Sequence, residues 1–238
     1  MVSWFSASRS RAPLPRLRSR GSTIEATKVD FAQLAPDTSS YLGQAAYLQL
    51  CFFQSISKIS ATSRDLVTTQ TLSTAAGLAL AKHQGLVAEI RRRGEDPTEV
   101  MAPFVAAIDD FFAITRGASV NESLLSLYIT QGFLDDFFIR LSDGLASDIG
   151  ARYASLLGAD SGSAGIVGLL TDAIAVDPKR AHFFAMCGRR LVGDTLLLAH
   201  SALNLEGHSK SDEERIEPVF TELIATHTRR MDALGLTA

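Results

Sequence analysis

The sequence has few cysteines, long stretches without proline, and no long hydrophobic run. Its 238 residues include only two cysteines, Cys51 and Cys187, which are far apart in the chain. They form neither a CxxC redox motif nor a zinc site, and their scarcity favours a reducing compartment such as the cytoplasm. Cys51 lies among Leu50, Phe52 and Phe53, where we expect a buried, unreactive thiol.

The lack of a long hydrophobic run argues against a membrane-spanning helix. A membrane-spanning helix needs roughly 18 consecutive apolar residues, and residues 167–176 are interrupted by Gly168, Thr171 and Asp172. The N-terminal region also lacks the apolar segment of a secretory signal. We therefore expect a cytoplasmic protein that does not enter the membrane.

Charge is distributed unevenly along the chain. The formal net charge is −3, but residues 1–24 contain five arginines and no acidic residue, so the remainder carries −8. With prolines and serines but little apolar surface, residues 1–36 are predicted to be a disordered tail before a single domain at 37–238. Three interpretations of the tail stay open: an arm that binds RNA, an organelle presequence, or an extension caused by a start site placed too far upstream.

Proline is absent from residues 37–96 and 104–177, which leaves room for long helices. Alternating apolar and polar residues, the mark of strands, are essentially missing, so the chain is predicted to be all-α. Short connections favour a bundle of antiparallel helices. The predicted helices cover residues 37 to about 60, 62–93, 121–143, 146–176 with a kink in 161–165, 178–205 and, after a loop at 206–212, 213–234.

Four of these predicted helices each place one polar residue on an otherwise apolar stripe. His83 is the clearest case, because apolar residues stand three, four and seven positions to either side of it. Gln49, Asp136 and Asp160 hold similar positions on their own helices. One inward polar group on each of four helices is the layout of a metal site in the core of a bundle.

Ordinary core polarity is the other interpretation of the same residues. A lone histidine on an apolar face is usually hydrogen-bonded within the protein, and Gln49 is a candidate partner for His83. For Asp136 and Asp160 we expect a partner such as Arg140 or Arg152, partial exposure, or a raised pKa.

Five segments of the sequence resemble a group of actinobacterial ferritin-like proteins related to the tRNA 2-methylthio-isopentenyl-adenosine hydroxylase, a non-haem di-iron monooxygenase. The resemblance spans about residues 38–205 and implies a ferritin-like four-helix bundle with additional C-terminal helices. The segments are Tyr41-Leu-Gly43, Asp96-Pro-Thr-Glu-Val-Met-Ala-Pro-Phe104, Asp135-Asp-Phe137, Ala175-Val-Asp-Pro178 and Gly188-Arg-Arg-Leu-Val-Gly193.

The resemblance also implies six ligand positions for two irons. Only His83, Asp136 and Asp160 keep a side chain that binds iron readily, and they are the residual metal-site candidates. The other three positions hold Gln49, Leu80 and Ser163, and the chain contains no Glu-x-x-His or Asp-x-x-His.

The ligand set predicts a degenerate di-iron site and a protein without a required cofactor. We expect a non-catalytic binding or scaffold protein, with a homodimer as a candidate assembly and RNA as a candidate partner of the basic tail. The alternative is a metal-dependent oxidase or tRNA hydroxylase that binds iron through an altered ligand set.

Overall fold

A computed structural model of the chain describes residues 34–203 and 209–237, with side chains in the last helix from residue 216 onward. These residues form α-helices, two short 3-10 turns and their connections, without a strand, which confirms the all-α prediction. The predicted tail lies outside the described residues, except for 34–36. The helices are α1 Thr38–Thr62, α2 Leu66–Arg92, α3 Pro97–Met101, α4 Val105–Thr115, α5 Val120–Leu141, α6 Ser147–Leu157, α7 Ser163–Val176, α8 Lys179–Ser201 and α9 Ser209–Ala233.

Helices α1 and α2 form a closely packed antiparallel pair. Asp37 caps α1 by accepting hydrogen bonds from the backbone N–H groups of Ser39 and Ser40 at 3.0 Å. Asp65 caps α2 in the same way through the N–H of Thr68 at 2.7 Å. Because each carboxylate satisfies N–H groups that the helix leaves free, the chain restarts as a helix only three residues after α1 ends.

A left-handed glycine and a capping aspartate shape the connection after α2. Gly94 takes the left-handed conformation, with φ of 79°, just beyond the end of the helix. Asp96 then caps α3, and Pro97 is its first residue. Gly43 of α1 lets α3 approach closely, since a β-carbon there would overlap the carbonyl oxygen of Val100.

Helix α5 lies at the centre of the fold. It contacts five other helices: α1, α6, α7, α8 and α9. Most of its residues are therefore buried, on several faces at once. Together α1, α2, α5 and the α6–α7 segment form a four-helix bundle, to which α8 and α9 add a further layer.

The predicted helix at 146–176 is wrong as a single element. The structure ends α6 at Leu157 and starts α7 at Ser163, and Gly162 between them is left-handed, with φ of 69°. A left-handed residue breaks the helical hydrogen-bond ladder, so the break is complete and not a kink. Asp160 consequently lies in the connection and not on a helix face.

The C-terminal part differs slightly from the prediction. Helix α9 begins at Ser209, inside the segment predicted as a loop, and residues 204–208 lie outside the described part of the chain. Among the described helices, none is both long enough and apolar enough to cross a membrane.

Candidate functional site

The centre of the bundle contains an ion pair between Lys82 of α2 and Asp135 of α5. The Lys82 Nζ atom donates a hydrogen bond to Asp135 Oδ2 at 2.7 Å and another to the backbone carbonyl of Leu157 at 2.6 Å. Lys82 is 3% exposed and Asp135 7%. Charged residues are rarely buried this deeply without a partner, and here each residue compensates the buried charge of the other.

Gln49 of α1 completes this group. Its Nε2 atom donates a 2.7 Å hydrogen bond to Asp135 Oδ1, so both carboxylate oxygens accept a hydrogen bond from the protein. Burial raises the pKa of Asp135, while Lys82 and the Gln49 amide act against that shift by favouring the charged carboxylate. The Asp135 carboxylate connects α1, α2 and α5, and the Lys82 ammonium extends this group to the end of α6 through the Leu157 carbonyl.

A second buried carboxylate lies two turns along the same face of α2. Glu89 is 4% exposed, and its two oxygens accept from the guanidinium groups of Arg92 and Arg152, the latter at 3.1 Å. The predicted partnership of Arg152 with Asp136 or Asp160 is therefore wrong. Arg140, the other predicted partner, binds Glu222 of α9.

His83, the first predicted ligand, lies beside this group but does not join it. The ring is half-buried, and its Nδ1 atom is 2.9 Å from the carbonyl oxygen of Ala46, an oxygen to which it donates. The structure thus places His83 in a hydrogen bond between α1 and α2. Its partner is a backbone oxygen and not Gln49, which is bound to Asp135.

Asp136, the second predicted ligand, binds Arg230 of α9 and takes no part in the hydrogen bonds of Lys82, Asp135 and Gln49. Its Oδ2 atom accepts from Arg230 Nη2 at 2.6 Å, and 32% of its side chain is exposed. Asp135 occupies the inward position that the sequence pattern assigned to its neighbour. That pattern could not separate the two, because α5 is buried on several faces.

Asp160, the third predicted ligand, is exposed in the connection between α6 and α7. Its Oδ1 atom accepts from the backbone N–H of Gly162 at 2.9 Å, which stabilises the turn. Ser163 is exposed at the start of α7, and Leu80 is half-buried on α2. The structure therefore gives His83, Asp136 and Asp160 three separate environments.

The residues present do not fit a di-iron centre. Within residues 34–203 and 216–237, no three His, Cys, Asp or Glu side chains are grouped closely enough to hold a metal ion. Asp135 is a carboxylate buried between the helices, and the ammonium of Lys82 already binds it. A lysine ammonium donates hydrogen bonds and offers no lone pair to a metal.

A comparison with protein families identifies the fold. The family described as "Ferritin-like domain, actinomycetes" matches residues 34–204. The chain belongs to this family. The match covers α1 to α8 and stops before α9, so the helix that carries Arg230 lies outside the part of this ferritin-like chain that the family describes. No curated protein matches the chain.

Sequence reasoning missed Lys82 because it took the stripe through His83 as the buried face. The buried residues of α2 include Leu72, Ala75, Ala79, Leu86 and Ile90, and Lys82 falls in register with them. One signal was available: Lys82 and Glu89 carry opposite charges seven residues apart on the same face. Lysine is so often exposed that the pattern alone did not favour a buried one.

Proposed function

We propose that this ferritin-like chain works without metal catalysis, as a binding or scaffold protein. The observation that carries the proposal is the buried pair of Lys82 and Asp135. In this interpretation the lysine ammonium supplies the positive charge that a bound cation would otherwise supply to the carboxylate at the centre of the bundle.

The energetics of the pair support this assignment. A metal ion that took Asp135 would leave the Lys82 ammonium buried without a counterion, and breaking a buried pair costs about 3–5 kcal/mol. Gln49 adds only a neutral amide oxygen, which is a weak ligand for iron. Metal binding at this place therefore works against the packing that keeps α1, α2 and α5 together.

The alternative is a metal-dependent oxidase or hydroxylase that uses an altered ligand set. Its candidate residues, His83, Asp136 and Asp160, are each engaged separately, by Ala46, Arg230 and Gly162. Bringing them together requires these three contacts to break.

Anaerobic loading with ferrous iron, followed by metal analysis of the desalted full chain, tests the proposal. We expect far less than one iron per chain, with no change when Lys179, an exposed cation of α8, is replaced by methionine. Retention of about two irons per chain, reduced by His83→Ala, would overturn the proposal.

A second measurement examines the pair directly. The Nζ protons of a buried, hydrogen-bonded lysine exchange slowly with water, so a side-chain ammonium signal is expected in a ¹⁵N-correlated NMR spectrum at neutral pH. The signal should disappear in Lys82→Met and persist in Lys179→Met. If no such signal belongs to Lys82, the ion pair is not present in solution.

A further inference from the structure

A second feature of the fold, separate from the ion pair, is an elongated cavity at the end of the bundle where α1 and α4 finish and α5 begins. Its volume is about 450 Å³, within the range of small-molecule sites. It extends along α5 from Val120 to Thr130. Ten residues of helix correspond to roughly 15 Å, so the cavity has the length of a slender organic molecule.

The inner wall of the cavity is mostly apolar. Ile59 of α1, Phe112 of α4 and Leu127 of α5 line it from three different helices. Ser126 and Thr130 lie at its deep end, where the Thr130 hydroxyl donates to the Ser126 carbonyl at 2.7 Å. An apolar ligand body would bury hydrocarbon against Ile59, Phe112 and Leu127.

The charges at the cavity all have one sign. Lys58 and Arg116 line it, both are exposed, and none of the lining residues is acidic. Neither cation pairs with a carboxylate within residues 34–203 or 216–237. Outside the arginine-rich first 24 residues the chain carries a net charge of −8. Two cations at one cavity therefore form a positive site on a chain that is otherwise negative.

The loop that carries Arg116 is held firmly against α5. Glu122 accepts hydrogen bonds from the backbone N–H of Ala118 at 3.0 Å and from the hydroxyl of Ser119 at 2.9 Å. The Ser123 hydroxyl donates to the carbonyl of Gly117 at 3.2 Å, and a β-carbon on Gly117 would overlap the backbone of α5. The cavity wall is therefore built into the fold before any ligand arrives.

From this combination we infer that the cavity binds a small amphipathic anion, with its apolar body along α5 and its anionic head between Lys58 and Arg116. Neither Lys82 nor Asp135 lines this cavity, so the site is independent of the ion pair. The ligand class follows from two features: the apolar part of the wall favours a hydrocarbon or aromatic body, and the two cations among the lining residues favour a negative head.

Calorimetric titration of the full chain with three ten-carbon probes tests the inference. Decanoate, decanol and decyltrimethylammonium share one tail and differ in the charge of the head. We expect decanoate to saturate one site per chain, decanol to bind about tenfold more weakly, and decyltrimethylammonium not to saturate. Equal binding of all three, or failure of decanoate to saturate a site, would overturn the inference.

Variants locate the site. Lys58→Glu combined with Arg116→Glu should weaken decanoate binding about tenfold or more. Arg91→Glu reverses an exposed charge near the C-terminal end of α2, at the other end of the antiparallel α1–α2 pair, and should leave binding unchanged. Ala113→Trp places a large ring on the cavity wall and should block both decanoate and decanol. Equal weakening by the Arg91 variant would show that net charge and not this cavity controls binding.

One measurement needs no variant. On addition of decanoate to the wild-type chain, the backbone amide NMR signals of Ser126 and Thr130 should shift with the same saturation curve as the calorimetry. Shifts confined to other parts of the chain would place the ligand elsewhere and overturn the inference.

Discussion

The side chain of Arg230 crosses α5 directly over Gly132, so closely that a β-carbon at position 132 would overlap its guanidinium Nε atom. From there its Nη2 atom reaches Asp136 at 2.6 Å. Arg230 belongs to α9, outside the region that the family match covers. Gly132 and Asp136 together therefore provide the place on the bundle where this additional helix is attached.

Gly132→Ala is expected to lower the free energy of unfolding by about 1–2 kcal/mol, because the new methyl group displaces Arg230 from Asp136. The control is Gly168→Ala in α7, where a β-carbon would extend into open space. That change should raise the free energy of unfolding by up to about 1 kcal/mol through helix propensity. Urea titrations measure both, and equal stabilisation by the two substitutions would contradict the close approach of Arg230.

Lys82→Met should lower the free energy of unfolding at pH 7 by about 3–5 kcal/mol, since it leaves the Asp135 carboxylate buried without its cation. Combining Lys82→Met with Asp135→Leu removes both charges and should recover most of that loss. Denaturant titration of the two single variants and the double variant gives the coupling between the residues. Independent, additive losses would show that the two groups do not interact.

The Lys82→Met variant should also respond to pH. Burial raises the pKa of Asp135, and without the Lys82 ammonium this shift becomes larger. A carboxyl group whose folded pKa exceeds its unfolded pKa binds protons preferentially in the folded state. Relative to wild type, the variant should therefore gain stability as the pH falls from 7 towards the unfolded pKa, which urea midpoints at several pH values will reveal.

Arg92 and Arg152 are expected to act together on Glu89. Each arginine is substantially exposed, with 59% and 43% of its side chain accessible, so replacing one by alanine should cost less than about 1 kcal/mol. Replacing both leaves the buried Glu89 carboxylate with neither cation, and the loss should exceed the sum of the single losses. Thermal or urea unfolding of the three variants tests this, and simple additivity would contradict it.

His227 makes a pH-dependent contribution to stability. It is 3% exposed, neither ring nitrogen has a hydrogen-bond partner in the described structure, and burial together with Arg230 lowers its pKa from 6.5 to about 4. Between those values the unfolded chain binds a proton that the folded chain does not. Stability should thus fall as the pH drops from 6.5 to 4, by at most about 3 kcal/mol.

The contribution of His227 can be isolated with His227→Phe, since the carboxylates titrate alike in both proteins. As the pH falls from 6.5 to 4, the wild-type chain should lose more unfolding free energy than the variant does. Below pH 4 the difference between the two proteins should stay constant. A difference that does not vary with pH would show that His227 is protonated to the same extent in the folded and unfolded chains.

Helix positions were well predicted wherever the signals are local. Asp37 caps α1 where that helix was predicted to start, and it works through atoms within a few residues along the chain. The start of α2 was predicted a few residues early, because Asp65 and not the Thr62-Ser63 pair caps that helix. The break between α6 and α7 was underestimated. Its sequence contains Gly162, but a glycine becomes a break only when the packing on both sides requires a left-handed turn.

The candidate site was predicted less well. The sequence directed attention to the correct helices and to Gln49, but it chose His83 over Lys82 and Asp136 over Asp135. In each pair the two residues are adjacent, and a helix rotates by only about 100° from one to the next. Because α5 is buried on several faces, apolar residues surround both Asp135 and Asp136 in the sequence. The pattern therefore does not show which of the two points inward.

The sequence by itself determined that this chain is all-α and where α1, α5 and α8 start, to within a residue. These properties depend on residue type and near neighbours. Only the tertiary structure decided that Lys82, Asp135 and Gln49 meet, and that Lys58 and Arg116 share one cavity. The partners in each group lie more than 30 residues apart, and their contact depends on how the helices are rotated against each other, which local patterns do not encode.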